Sequence, residues 1–280
     1  MTPTTDRRVR AYRAGARMTR ARIQKEAPLD AEALACVTAS DVVVVPGSYD
    51  HVERVLEALE MPFTRIDAGQ IGHARLRPEQ LLIVNCPGNM PRTAIEKIRA
   101  FVEAGGSLFT TDWALRHVLE PAFPGVLAYN DCPTRDDVVR IEIIDRENPF
   151  LAGVLDQGDD PQWWLEGSSY PIRILAPERV QVLLSSTELA NKYGESPVAV
   201  LFKAGNGEVF HMISHYYLQR TELRDARHAQ PASYFAEEKG VASGPEMDGL
   251  NLGEVEAAHS SARFLSNVIA RKKRGEAVSR

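Results

Sequence analysis

Asp41-Val42-Val43-Val44-Val45-Pro46-Gly47 holds four consecutive valines closed by a turn former. A β-branched run with no polar alternation suits a strand buried on both faces, the situation in a parallel sheet covered by helices. Just beyond it, Val52, Val55, Leu56 and Leu59 recur at helical spacing, and Phe63-Thr64-Arg65-Ile66-Asp67 reads as a short second strand. The segment therefore opens as a βαβ unit. Leu81-Leu82-Ile83-Val84-Asn85 is the next strand, and Cys86-Pro87-Gly88 turns it into a helix with Ile95, Ile98, Phe101 and Val102 on one face. Gly105-Gly106 ends that helix, and the strand Ser107-Leu108-Phe109-Thr110-Thr111 runs into Asp112-Trp113 and a further helix bearing Leu115, Val118 and Leu119. Repeated strand-to-helix transitions predict an α/β fold: an open, mostly parallel Rossmann/flavodoxin-like sheet with helices on both faces.

The second half is less regular. Residues 138–144 alternate as an edge strand would, and Asp159-Asp160-Pro161-Gln162-Trp163-Trp164 is a turn with adjacent indoles, one assigned to the core and one to a pocket wall. Strands return at 180–184 and 198–202, and Gly205-Asn206-Gly207 makes a tight hairpin into Glu208-Val209-Phe210-His211-Met212-Ile213-Ser214-His215. No Pro/Gly-rich linker divides the chain, so the expected organisation is a basic N-terminal arm or helix over 1–38 and one elaborated domain over 39–280. Residues 219–257 are polar and aperiodic apart from Tyr234 and Phe235, which predicts a flap or a mobile loop. A terminal helix resumes near Val255, with Ala262, Phe264, Leu265, Val268 and Ile269 available to pack on the sheet.

The 280 residues are 44% hydrophobic and 25% charged with a net charge of −5, the balance of a folded domain with no overall positive field for nucleic acid. No apolar stretch is long enough to cross a bilayer and the N-terminus lacks the apolar core of a secretory signal, so no membrane association is expected. Three widely spaced cysteines, Cys36, Cys86 and Cys132, suit a reducing compartment, and the expected location is the cytoplasm. Charge is concentrated at the start, where Arg7, Arg8, Arg10, Arg13, Arg17, Arg20, Arg22 and Lys25 face only Asp6. Such an arm reads as solvated and dispensable, with contact to an acidic partner as the alternative, and Arg271-Lys272-Lys273-Arg274 suits the negative end of a helix.

In an open parallel sheet the loops at the carboxyl ends of the strands converge on a crevice. That rule selects Gly47, Ser48, Cys86, Gly88, Asp112, Trp113 and His215, with Trp164 as the pocket indole. His211 and His215 do not make a metal pair on an extended strand, since residues four apart lie about 13 Å from each other, and no metal is expected. The turn at Pro46-Gly47-Ser48 lacks the repeated glycines of a dinucleotide site and no phosphate loop is present, so no cofactor is expected.

Four segments carry a family resemblance: Val43 to Gly47, Leu82 to Gly88, Phe101-Val102-Glu103-Ala104-Gly105-Gly106-Ser107-Leu108, and Gly207 to His215. Together they resemble the class I glutamine amidotransferase-like superfamily, nearest to its ThuA-like branch, associated with trehalose utilisation. Catalytic members carry a cysteine on the turn after the strand matching residues 108–111; this chain has Asp112 there. Cys86 lies one strand earlier, in what resembles an oxyanion-side turn, whereas His215 falls near the histidine of catalytic members. The resemblance implies a domain without glutaminase activity that binds a small metabolite or a partner protein at the crevice, with a homo-oligomer left open. The alternative is a hydrolase in which Asp112 acts on substrate and His215 handles a proton.

Overall fold

The computed structural model describes residues 3–275. Two helices come first, α1 (Pro3–Glu26) and α2 (Pro28–Ala35), followed by β1 (Val42–Val45), α3 (Val52–Ala58), β2 (Thr64–Arg65), β3 (Leu81–Val84), α4 (Arg92–Glu103) and β4 (Ser107–Thr111). A π-helical segment, Leu115–Leu119, leads into α5 (Glu120–Ala122), β5 (Leu127–Tyr129), β6 (Asp137–Arg140), β7 (Glu142–Ile143), β8 (Gln162–Leu165) and β9 (Ile172–Ile174). The chain closes with β10 (Val180–Ser185), α6 (Thr187–Tyr193), β11 (Pro197–Ala204), β12 (Gly207–Met212), α7 (Ala232–Glu238) and α8 (Leu252–Arg274).

Eight strands form the central sheet in the order β2-β1-β3-β4-β12-β11-β10-β7. Pairings from β2 to β12 are parallel, and β11, β10 and β7 extend the sheet antiparallel. The chain steps from β1 to β2 in one direction and from β3 to β4 in the other, so right-handed crossovers put α3 and α4 on opposite faces. The four valines of β1 are buried throughout, as a strand covered on both sides requires. Ala204 pairs with Gly207 across the expected two-residue hairpin, and β12 completes the sheet beside β4. The sheet runs Gly47, Cys86, Asp112 and His215 to one edge, because each lies just past the carboxyl end of a parallel strand.

Two expectations are corrected. The N-terminal segment is a helix, and it is not a detachable arm: Ala11, Tyr12, Ala14, Ala16 and Met18 are buried, and α1 lies along α8. The helices approach so closely that a Cβ at Gly15 would stand 2.7 Å from the His259 backbone nitrogen. The arginines that read as free charge are mostly bound internally: Arg7 to Glu254, Arg17 to Glu246, Arg20 to Glu60, and Arg22 to Glu26 and Asp156. Small residues interleaved with arginine place an apolar stripe on one helix face, which a count of charges conceals.

Residues 219–257, expected as a flap or mobile loop, contain α7 and a 3-10 turn at Pro245–Met247. His228, Ala232, Phe235, Ala236, Met247 and Leu250 are buried, and most of these pack with α1 against the start of α8. The segment therefore covers the helical layer. At the C-terminus, Lys273 pairs with Asp41 and Arg274 with Asp30, and Gly275 caps α8 in the left-handed conformation.

Candidate functional site

Asp112 follows β4 with φ of +46°, an uncommon conformation for a residue with a side chain, and one held only where surrounding contacts over-determine it. Those contacts are visible. The Ser169 hydroxyl donates to Asp112 Oδ2 at 2.9 Å and the Tyr170 N–H donates to Oδ1 at 2.8 Å. The side chain thus caps no helix, the structural alternative for an aspartate at a strand end. Cys86 Sγ stands 3.8 Å from Oδ2, and Thr111 Oγ1 accepts the Cys86 N–H.

His215 lies three residues past β12 with its imidazole buried between two carboxylates. Nε2 is 3.4 Å from Asp112 Oδ2 and Nδ1 is 3.6 Å from Glu166 Oε2, and neither ring nitrogen makes a hydrogen bond. Its backbone is pinned from the β1 side, since the buried Asp50 carboxylate accepts the N–H groups of Tyr216 and Tyr217. The Trp164 ring meets the imidazole edge-on at 5.6 Å, and its indole N–H donates to Asp136.

A hollow of about 210 Å³ opens beside these groups, lined by Cys86, Asp112, Tyr49, Trp113 and the turn from Glu166 to Ser168. Trp113 is half-buried, stacks on Tyr170, meets the Tyr49 ring at a tilt, and donates its indole N–H to the Ser168 carbonyl. Ser168, like Asp112, has a positive φ, +75°. Gly47, Ser48, Gly88 and Trp164 lie behind this lining. A side chain at Gly47 would collide with the Cys86 carbonyl, which accepts the Ser48 and Tyr49 N–H groups. Gly88 packs on Ala114 and Val118.

The structure separates the histidines. His211 Nδ1 bonds Thr110 Oγ1 inside the sheet, where burial lowers its pKa to about 3; His117 bonds the Pro87 carbonyl. Burial raises the Asp112 carboxyl above the usual range, with His215, Tyr170 and Ser169 opposing that shift. For His215, burial by itself would lower the pKa, but Asp112, Asp50 and Glu166 outweigh it and the net shift is upward. Each of the two groups thus stabilises the charged form of the other. Burial raises Glu166 as well, and burial followed by the Asp112 charge pushes the Cys86 thiol far up.

Glu166, Ser169, Tyr170, Tyr49 and Asp50 were not among the residues selected from sequence. Glu166 follows β8, which pairs only with β6 in a separate two-stranded sheet, so the strand-end rule for the main sheet does not reach it. The available signal was local: an aromatic strand running into Glu166-Gly167-Ser168-Ser169.

No family model matches the chain, and no curated protein matches it. Solved structures do. The chain is similar to a glutamine amidotransferase from Thermotoga maritima, at 11% identity and a TM-score of 0.49 over 85% of this chain and 98% of that one. It is similar to a GMP synthase-type protein from Thermoplasma acidophilum, at 13% identity and a TM-score of 0.47 over 66% and 87%. A third likeness is to an exo-β-1,4-mannosidase from an Opitutaceae bacterium, at 12% identity and a TM-score of 0.44 over 63% and 31%. The chain spans less than a third of the length of the glycosidases it matches first. At these scores the neighbours carry no argument about activity. The chain is an α/β protein by its own sheet.

Proposed function

We propose that this amidotransferase-like domain binds a small polar ligand in the strand-end crevice and is not a glutaminase, in keeping with the resemblance to the ThuA-like branch. The turn after β4 carries the reading: it presents Asp112, at φ +46°, where an acyl-transfer cysteine would have to stand. The nearest thiol, Cys86, is buried beside that carboxylate with its pKa raised, and a thiol kept protonated is a poor nucleophile. The hollow of about 210 Å³ falls below the roughly 300–1,000 Å³ of drug-sized pockets, so its occupant has few heavy atoms. Among the described residues, no helix is long and apolar enough to cross a membrane; the three unpaired cysteines favour a cytoplasmic setting.

Incubation with L-glutamine is expected to release no ammonia above the blank, for the native protein and for Cys86→Ala alike. Ammonia release that disappears in Cys86→Ala, together with selective alkylation of Cys86 near neutral pH, would overturn the reading. One observation favours hydrolysis instead: His215 stands between Asp112 and Glu166, as an acid-base group oriented by carboxylates does. Turnover of an ester, amide or glycoside that vanishes in a folded Asp112→Asn variant would establish that second reading.

A further inference from the structure

We propose that Cys86 Sγ, Asp112 Oδ2 and His215 Nε2 are ligands to one divalent transition-metal cation of the zinc type, with its fourth position open to the hollow. The inference rests on the crevice being a ligand site and names what it holds first. The three ligand atoms lie within 4.8 Å of one another, drawn from the ends of three different strands of one sheet. Metal–oxygen and metal–nitrogen bonds of about 2.0 Å and a metal–sulfur bond of about 2.3 Å put tetrahedral ligand atoms about 3.3 Å (O to N) and 3.5 Å (O to S) apart. The observed separations are 3.4 Å and 3.8 Å. The thiol donates to Oδ2 across the longer of these, and both lie within a few tenths of an ångström of the separations of ligands facing a shared ion.

A second observation is independent of the cluster. His215 is 1% exposed, yet both of its ring nitrogens lack hydrogen bonds. Both nitrogens face carboxylates at ion-pair range without closing a hydrogen bond, and a cation beside Nε2 and Asp112 would complete that pairing. Nδ1 faces the Glu166 carboxylate at 3.6 Å, the outer carboxylate that commonly fixes the tautomer and orientation of a metal-bound imidazole. Ser169 and the Tyr170 N–H hold Asp112 in the same manner.

Charge points the same way. Asp50, Asp112 and Glu166 all act on His215, while no Lys or Arg lines the hollow among the described residues. On binding, the Cys86 S–H bond breaks, the sulfur electron pair goes to the cation and the proton passes to solvent; thiolate and Asp112 carboxylate then neutralise the two positive charges. Three protein ligands with one position facing a cavity is the arrangement of zinc sites that keep a place for water or substrate. The mixed sulfur, nitrogen and oxygen set suits zinc and cobalt better than magnesium or calcium.

The test uses the full chain with Cys36→Ser and Cys132→Ser, which removes the exposed thiols. Metal-free protein is titrated with Co²⁺ by absorption spectroscopy and with Zn²⁺ by calorimetry. One equivalent of Co²⁺ is expected to produce tetrahedral d–d bands and a thiolate-to-cobalt charge-transfer band, and Zn²⁺ is expected to displace it with proton release. Cys86→Ala should abolish the charge-transfer band and weaken Zn²⁺ binding at least tenfold, and His215→Asn and Asp112→Asn should each weaken it similarly. Glu166→Gln, which removes no ligand, should keep the bands and weaken binding less. Absence of a one-equivalent site, or a site unchanged by Cys86→Ala and Asp112→Asn, overturns the proposal. If metal fails but a panel of small metabolites gives thermal shifts that Asp112→Asn removes, only the metal assignment falls; if both fail, the crevice reading falls with it.

Discussion

The strand-end crevice and the α1–α8 layer both bury histidine, and they treat it in opposite ways. His259 on α8 receives a hydrogen bond from Arg22 on Nε2, so Nδ1 carries the proton and meets Thr19 Oγ1 at 2.9 Å. Burial, then the charges of Arg22, Arg263 and Lys239, lower its pKa to about 3, and the ring is held neutral. The ring nitrogens of His215 make no hydrogen bond, three acids act on them, and the adjacent Asp112 is held at positive φ. The helical layer pairs both nitrogens of its buried imidazole, although it leaves Arg8 Nη1, Arg10 Nε and Glu256 Oε2 without a hydrogen bond; the crevice pairs neither nitrogen of His215. The contrast supports the proposed site at the crevice and a packing role for the basic N-terminal helix, the reverse of what charge density along the chain suggests.

Deleting residues 1–25 is the strongest way to break that contrast. The deletion uncovers the α8 face that Tyr12, Ala14 and Met18 bury. Each large apolar side chain so exposed costs about 1.5–3 kcal/mol, against a total stability of about 5–15 kcal/mol. Calorimetry is expected to show loss of the cooperative transition or a midpoint far below that of the full chain. A midpoint within about 5 °C would restore the dispensable arm.

Acid titration sharpens the contrast. Folded His259 stays neutral down to about pH 3, whereas its unfolded counterpart takes up a proton below about 6.5. The unfolded state therefore binds more protons in that window, and the contribution is whole above pH 6.5 and lost as pH falls toward 3. The loss reaches roughly 5 kcal/mol, at about 1.4 kcal/mol per pKa unit over that window. His211, also lowered to about 3, acts in the same direction. Urea midpoints measured from pH 7 to 4 should fall less steeply for His259→Gln than for the native protein. Equal slopes would mean that the ring is protonated in the fold.

The smallest effect belongs to the crevice. Asp112→Asn removes a charge whose burial is unfavourable, keeps an acceptor for the Tyr170 N–H, and lets the Ser169 hydroxyl rotate to accept from the new amide. Stability is expected to change by no more than about 1 kcal/mol, while ligand binding at the crevice is lost. A large fall in denaturant midpoint would make Asp112 a structural buttress and erase the distinction between the two regions.

Local pattern was enough for the sheet. Valines 42–45, the helical spacing before Gly105-Gly106 and the Gly205-Asn206 turn are each short-range signals, and strands joined by helical crossovers must present their carboxyl ends at one edge. That geometry made Cys86, Asp112 and His215 legible as candidates before any side chain was placed. The rest depended on approach between distant segments. Glu166 reaches His215 from a strand outside the main sheet, and α1 meets α8 from some 240 positions away in the chain, Thr19 to His259. Periodicity reports which face of an element is apolar, not which partner covers it, so the helix looked free and 219–257 looked loose. Only tertiary packing decided that the early arginines are engaged in internal ion pairs and that His215 alone among these histidines is left beside the hollow without a hydrogen bond.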